Sequence, residues 1–384
     1  MFSTTQKIGI LGGGQLGKML CLAAAPLDLK IYILEKNADC PAASVCSGFQ
    51  QGDFSRYEDV MAFGADKDII SIEIEHVHTG ALRELEAAGK KVHPAPDALD
   101  VIKDKGLQKQ FYARHGLPTA PFQWMDGADQ VRQAVREGGL MLPFVQKTRT
   151  AGYDGKGVSI IRNHDDLQHK LLDGPCVIES LADIRTEIAV IAARNENGQV
   201  TAFPPVEMEF HPEANLVEYL ICPARIPESV SAEATALARQ VIEQMNICGL
   251  LAVEMFWNKD GSLWINEVAP RPHNSGHHTI DSAVTNQYQQ HLRAICNLPL
   301  GDTTQLRPAI MLNVLGAPGY KGNVHYEGVE EALSIPGVYL HLYGKSTTAP
   351  FRKMGHITIV GPTLDEVLAT AEQVKNRIQV KSQS

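Results

Sequence analysis

The sequence predicts a multidomain protein of mixed α/β and α+β class, with a doubly wound unit at its start. Three observations predict this. The chain of 384 residues is too long for one ordinary domain and long enough for two or three. Its first stretch reads strand, glycine turn, helix, strand, the opening βαβ unit of a doubly wound sheet. Its middle third gives up long helices for strand-like runs separated by turns, as an α+β region does.

Taken in order, residues 7–11 (KIGIL) form a short apolar strand that ends in glycines. Residues 15–25 are helical in pattern, residues 31–34 form a second strand, and residues 69–74 (IISIEI) a further one. Pro94 and Pro96 interrupt the pattern, a single helix follows over about 96–115, and the first domain boundary falls near residue 100. Strands are expected at 144–148, 177–179, 187–193 and 217–222, and a helix over 232–245. Strands 250–256 and 263–268 flank the turn Asn258-Lys259-Asp260-Gly261, a strong hairpin signal. A helix at 286–296 precedes the linker LPLGDTT. The last part, about 300–384, holds strands at 309–314 and 356–360 and a closing helix at 364–377.

Composition narrows the function. With 44% apolar and 21% charged residues the chain is globular. Its net charge of −9 argues against broad nucleic-acid or anionic-membrane binding, so any anionic substrate needs a local basic pocket. The seven scattered cysteines, with no C-x-x-C pair, suit free thiols in a reducing compartment. No segment reads as a membrane span or a cleaved leader, and a cytoplasmic location is expected.

Gly12-Gly13-Gly14-Gln15-Leu16-Gly17 satisfies G-x-G-x-x-G between a strand and a helix, and Glu35 closes the second strand where nicotinamide enzymes carry a ribose-binding acid. Alone this favours a dehydrogenase. The motif guarantees only a tight turn with helix N-terminal amides, so a structural or generic phosphate turn is an equal reading.

Residues 250–279 decide more. Glu254 lies on one hairpin strand and Glu267 on its partner, so the turn brings two carboxylates together, an arrangement suited to Mg²⁺ shared with substrate phosphates. The bland alternative is a pair of solvated strand carboxylates, but Glu254 sits inside LLAVEMFW, where an unpaired buried charge is costly. Arg271, His273, Asn274, His277 and His278 follow on a loop stiffened by Pro270 and Pro272. Upstream, QKTRTAGYDGKGV (146–158) combines glycines with Lys147 and Lys156; it is not a Walker A sequence and reads as a lid over a triphosphate.

The elements GGGQLG, EIEHV, QKTRTAGYDGKG, VEMF with NEVAPRPHNSGHHT, and RKMGH occur in that order across almost the whole chain. In them the sequence resembles the 5-(carboxyamino)imidazole ribonucleotide synthetases of the ATP-grasp superfamily, NE-x-APR-x-HNSGH being the specific signature. The resemblance implies an ATP-grasp fold with three domains: a Rossmann-like substrate-binding domain (1–103), the ATP-grasp domain with its lid (104–299), and a small C-terminal domain (300–384). It implies a homodimer, the cofactors ATP and Mg²⁺, and the substrates bicarbonate and 5-aminoimidazole ribonucleotide. Lys105 and Lys147 would contact ATP phosphates under a lid of Gly152, Tyr153, Asp154, Gly155, Lys156, Gly157 and Val158. Glu179, Ser180, Leu181 and Ala182 would line the adenine pocket, Glu187 would bind the ribose, and His211 and Asn266 fall at nucleotide positions. Glu254 and Glu267 would hold the metal. Gln15, Leu16, Glu75, Asn274, Lys345, Arg352 and Lys353 would contact the ribonucleotide. Arg271 would hold bicarbonate, and His273 with Tyr153 and Asp154 would order the amine and the leaving phosphate. His76 and Lys105 depart from the family, where Asn and Arg are frequent. Rivals are a formate-dependent glycinamide ribonucleotide transformylase and biotin carboxylase, within the superfamily, and a non-catalytic nucleotide-binding regulator outside it.

Overall fold

The computed structural model describes residues 3–150, 157–210, 217–375 and 377–382. The first unit is a five-stranded, all-parallel sheet in the order Gly48–Gln51, Lys30–Glu35, Lys7–Leu11, Ile69–Ile72, Lys91–His93. Its central strands are apolar on both faces, with Ile8, Ile10, Ile31, Ile33, Ile69 and Ile70 buried, because helices cover the sheet from both sides. Each such side chain contributes about 1.5–3 kcal/mol on burial. The fourth strand stops at Ile72, two residues short of the expected end, and releases Glu73 from the ladder.

The single helix expected over 96–115 is two helices, Pro96–Lys103 and Lys105–Arg114. Asp104 between them is extended, and its carboxylate accepts the amides of Gly106 and Leu107 at 2.8 and 3.2 Å. An internal acidic residue has thus become an N-cap, which breaks the helix and re-aims Lys105. The same carboxylate holds Arg149 at 3.0 and 2.5 Å, and the Arg149 guanidinium stacks on Trp124 with 4.2 Å to the ring centroid.

A four-stranded antiparallel sheet follows, in the order Phe122–Met125, Cys176–Ser180, Phe144–Thr148, Val158–Ile161. Among the described residues the largest sheet has nine strands. Its main path runs Leu263–Ala269, Gly249–Asn258, Ile184–Arg194, Val206–Phe210, Val217–Cys222, Ala309–Leu315, Lys353–Val360, Val338–Leu342. The C-terminal strands therefore extend the central sheet through the pairing of Tyr219–Cys222 with Ala309–Leu312. The helix Glu228–Gln244 packs under this sheet through Ala234, Leu237, Ala238, Val241 and Ile242, forming one core with Ile188, Val190, Leu251 and Val253. No helix is long and apolar enough to cross a membrane among the described residues.

Candidate active site

The hairpin forms with Glu254 directly opposite Glu267, so both carboxylates leave the same face of the large sheet. The register slips between Glu254 and Met255, which leaves Asn266 unopposed as a bulge residue. That bulge sends the Asn266 side chain to the Lys147 ammonium at 2.8 Å while Glu267 stays with Glu254. Glu187, on the neighbouring strand across from Phe256, shares the face. Burial pushes the Glu187 carboxyl up to about 7; Lys147 opposes the shift and Glu267 adds to it. Burial also raises Glu254, and the negative charge of Glu267 raises it further. Two carboxylates that penalise each other's charge are the electrostatic signature of a place for a cation. Among the described residues no group of three or more His, Cys, Asp or Glu side chains is placed to hold a metal ion, so a divalent cation here would rest on this pair and on ligand oxygens.

Three lysines answer the carboxylates. Lys105 is ion-paired with Glu267; burial would raise the Glu267 carboxyl, but Lys105 and then Lys147 outweigh it and hold it low. Lys147, on the strand Phe144–Thr148, reaches Glu179 Oε2 at 3.1 Å. Lys109 reaches the same oxygen at 3.2 Å. Glu179 is buried, and although burial raises its carboxyl, Lys147 and Lys109 keep it below the usual range. Its other oxygen, Oε1, is buried without a partner. Lys109 was not among the expected site residues. The spacing of Lys105 and Lys109 by four positions was the available signal, since i and i+4 share a helix face.

The loop after Glu267 separates its histidines. His273 faces the carboxylates, with Nε2 3.4 Å from Glu254 Oε1. The Ser275 amide donates to His273 Nδ1 at 3.3 Å, which leaves the ring proton on Nε2, toward Glu254. Burial, then the charges of Arg271 and Lys353, push His273 down to about 3, so it is a neutral imidazole. His277 and His278 are buried and internally bonded, to Tyr288 Oη at 2.9 Å and Ser282 Oγ at 2.9 Å, and serve the packing of the loop. Gln287 clamps the loop: its Oε1 accepts the His273 amide and its Nε2 donates to the His273 carbonyl, each at 2.8 Å. Only glycine fits at 276, where a Cβ would lie 2.3 Å from Ile191 and 2.5 Å from Gln287 Oε1.

The neighbouring units close the site. Arg271 Nε lies 2.8 Å from Glu75 Oε1 of the first unit. Lys353, from the C-terminal strands, acts by its charge on both Glu254 and His273. Lys345 donates to the Lys353 carbonyl at 2.7 Å, and Arg352 is exposed with its guanidinium on Thr347. Asn274 opens the short turn Asn274–Gly276. Ser180 ends the strand that carries Glu179, and Leu181 and Ala182 follow it, with Leu181 exposed. Gly157 is a turn residue before Val158, which opens the strand opposite Lys147. Gly152, Tyr153, Asp154, Gly155, Lys156 and His211 lie outside the described residues.

The glycine turn behaves differently from what its motif suggests. Glu73 lies against it: Gly14 N donates to Oε1 and Gly17 N donates to Oε2 at 2.5 Å. Gly13 N donates to Glu35 Oε2 at 3.1 Å. Gly12 has φ +107°, and a Cβ there would meet the Glu73 side chain at 2.4 Å. The amides that would bind a pyrophosphate are thus taken by the protein's own carboxylates, and the acid expected to hold a ribose accepts the Gly13 and Lys36 amides instead. The dehydrogenase reading fails on this geometry. Gln15 and Leu16 start the helix beyond the turn, with Leu16 buried.

The sequence matches the family models of the ribonucleotide synthetase preATP-grasp domain over residues 5–103, the ATP-grasp domain over 110–288 and the phosphoribosylaminoimidazole carboxylase C-terminal domain over 309–370. It is 37% identical over 374 residues to a phosphoribosylaminoimidazole carboxylase of Candida glabrata, covering 94% of this chain and 65% of that protein. The chain thus spans about two thirds of that relative's length. An N5-carboxyaminoimidazole ribonucleotide synthase of Bacillus subtilis is 35% identical, with 94% and 92% covered. The crystal structure of N5-carboxyaminoimidazole ribonucleotide synthetase from Thermotoga maritima superposes with a TM-score of 0.90 at 39% identity, over 98% of this chain and 100% of that one. The Aspergillus clavatus N5-carboxyaminoimidazole synthase, in complex with ADP and 5-aminoimidazole ribonucleotide, gives 0.87 at 32%, over 96% and 97%.

Proposed function

The chain belongs to the N5-carboxyaminoimidazole ribonucleotide synthase family of ATP-grasp proteins, and we propose that it uses ATP and bicarbonate to carboxylate the amine of 5-aminoimidazole ribonucleotide in purine synthesis. The observation that carries this reading is the charge layout: opposed Glu254 and Glu267, ringed by Lys105 and Lys147, with Arg271 and Lys353 entering from the adjoining units. A nucleotide-binding regulator has no need of the further cations Arg271 and Lys353. The transformylase reading finds no support among the named relatives, which are carboxylases and synthases.

In the first step a bicarbonate oxygen attacks the γ-phosphorus, ADP leaves, and carboxyphosphate forms. Lys105 and Lys147 stabilise the charge on the phosphates, a task of positioning and electrostatics more than of covalent chemistry. Bound at Glu254 and Glu267, Mg²⁺ would neutralise phosphate charge. The unpartnered Oε1 of Glu179 supplies an acceptor for the exocyclic amino group of adenine, beside the backbone of Ser180, Leu181 and Ala182. Glu187 binds the ribose, with Asn266 and His211 at the nucleotide. Arg271 holds bicarbonate and then carboxyphosphate. In the second step the amine attacks the carbonyl carbon, of carboxyphosphate or of the CO₂ it releases; a C–N bond forms, phosphate leaves, and the amine loses a proton. Neutral His273, with Tyr153 and Asp154 of the lid, orders the amine and the leaving phosphate. Gln15, Leu16, Glu75, Asn274, Lys345, Arg352 and Lys353 bind the ribonucleotide, the last two at its 5′-phosphate. Gly152 to Val158, including Gly155, Lys156 and Gly157, shield carboxyphosphate from water.

The working division of the chain is 1–103, 104–299 and 300–384. A cytoplasmic setting is supported by seven free cysteines. A homodimer is supported by the family resemblance, and sedimentation would test it. The activity test is ADP release with Mg-ATP and bicarbonate, with and without 5-aminoimidazole ribonucleotide, against glycinamide ribonucleotide plus formate. Stimulation by the aminoimidazole compound alone is the expected result. Stimulation by the control pair alone would move the function to the transformylase, and no turnover with either acceptor would leave the regulator.

A further inference from the structure

Lys109 carries a charge that no ligand role uses. It is 2% exposed and sits one helical turn beyond Lys105. Its ammonium meets Thr119 Oγ1 at 2.7 Å, Glu179 Oε2 at 3.2 Å and the Ile265 carbonyl at 3.4 Å, so its three donors are engaged within the protein. Thr119 passes its own hydroxyl proton to the same Ile265 carbonyl at 2.8 Å, which ties this cluster to the residue before Asn266. Taking a lysine this far out of water is costly unless the charge is matched.

Its partner explains what the charge achieves. Glu179 Oε2 receives two ammonium groups, Lys109 at 3.2 Å and Lys147 at 3.1 Å. Two positive charges against one negative leave one in excess, and Lys147, held also by Asn266, is the member placed to present it. Without Lys109, Lys147 alone would balance Glu179. Its charge would be cancelled locally, and its ammonium would be drawn toward the carboxylate, because a buried carboxylate captures whatever cation it can reach.

We propose that Lys109 is a positioning residue for nucleotide binding: it neutralises Glu179 so that Lys147 keeps its charge and its place for the phosphates. This rests on the nucleotide reading of the site. It differs from a packing role in one respect, since the need for Lys109 vanishes once Glu179 is uncharged.

A double-mutant cycle tests that difference, with Mg-ADP affinity measured by calorimetry on the full chain and folding checked by thermal melts. Lys109→Met is expected to weaken ADP binding by roughly tenfold or more in the wild-type background, and by less than about threefold when Glu179→Gln is already present. Equal losses in the two backgrounds, or no loss in the first, would overturn the proposal. Should Lys109→Met alone not fold, Glu179→Gln and the double variant decide: matching affinities support it, and a tenfold gap overturns it. ADP binding needs no acceptor, so the two readings fail separately. Absent carboxylation with intact coupling removes only the assigned reaction, and absent coupling with normal carboxylation removes only the role of Lys109.

Discussion

The glycine turn at residues 12–17 and the lysine cluster around Lys147 both offer positive charge to an anion, and their fates in the fold are opposite. In the turn, the amides of Gly13, Gly14 and Gly17 are met by Glu35 and Glu73, so the anion site is filled from within. In the cluster, Lys105, Lys109 and Lys147 also meet carboxylates, but cations outnumber carboxylates at Glu179, and Glu254 lies 3.4 Å from the neutral imidazole of His273. A motif that binds anions therefore says little until the protein's own anions have been counted. In the first region the glycine amides serve the fold; in the second, under the proposed function, charge is kept for a ligand.

The largest expected effect lies in the second region. Glu267→Gln removes half of the carboxylate pair and frees Lys105, and should lower ADP release by about a thousandfold or more. Wild-type ADP release in that variant would show that the pair is structural, like the turn. Next comes the turn itself. Glu73→Ala orphans two amides and should destabilise the protein by about 2–4 kcal/mol in denaturant titrations. Because the emptied turn becomes a helix N-terminal anion site, sulfate should recover part of that loss in the variant and leave the wild type unchanged. No difference in sulfate response would mean that Glu73 does not occupy an anion site. Smaller still, Lys353→Ala should raise the ribonucleotide KM by roughly tenfold while ADP affinity stays put, a split that initial-rate kinetics and calorimetry read separately. The smallest effect belongs to an exposed pair far from either region in character: breaking Lys259–Asp183 with Asp183→Asn should change stability by less than about 0.5 kcal/mol, against the larger loss at Glu73.

Much of this was legible because it depends on local chemistry. The opening βαβ unit, the hairpin over the Asp260-Gly261 turn and the carboxylate pair all follow from short-range pattern, and each is present. What escaped depends on contacts distant in sequence. The helix break at Asp104 joins a local cap on the Gly106 and Leu107 amides to an ion pair with Arg149, 45 residues away, which no local pattern shows. Lys109 shares a helix face with Lys105 in the sequence, but its burial against Glu179 appears only in the fold. Gln287 is unremarkable in sequence, yet it fixes the backbone of His273 in both directions. The three histidines of the loop look alike in the sequence, and their partners in the fold divide them: His273 meets Glu254, while His277 and His278 bond Tyr288 and Ser282. The continuation of the central sheet into the C-terminal strands could not be read from the LPLGDTT linker, because strand pairing across a linker leaves no local trace.

Under the proposed function, the second region activates bicarbonate with the γ-phosphate of ATP. That activation is tested most directly by turnover with bicarbonate labelled with oxygen-18, followed by mass analysis of the released phosphate. Label is expected to pass from bicarbonate into the phosphate in step with ADP release, because a bicarbonate oxygen makes the new bond to phosphorus. Unlabelled phosphate accompanying full ADP release in the presence of 5-aminoimidazole ribonucleotide would contradict it.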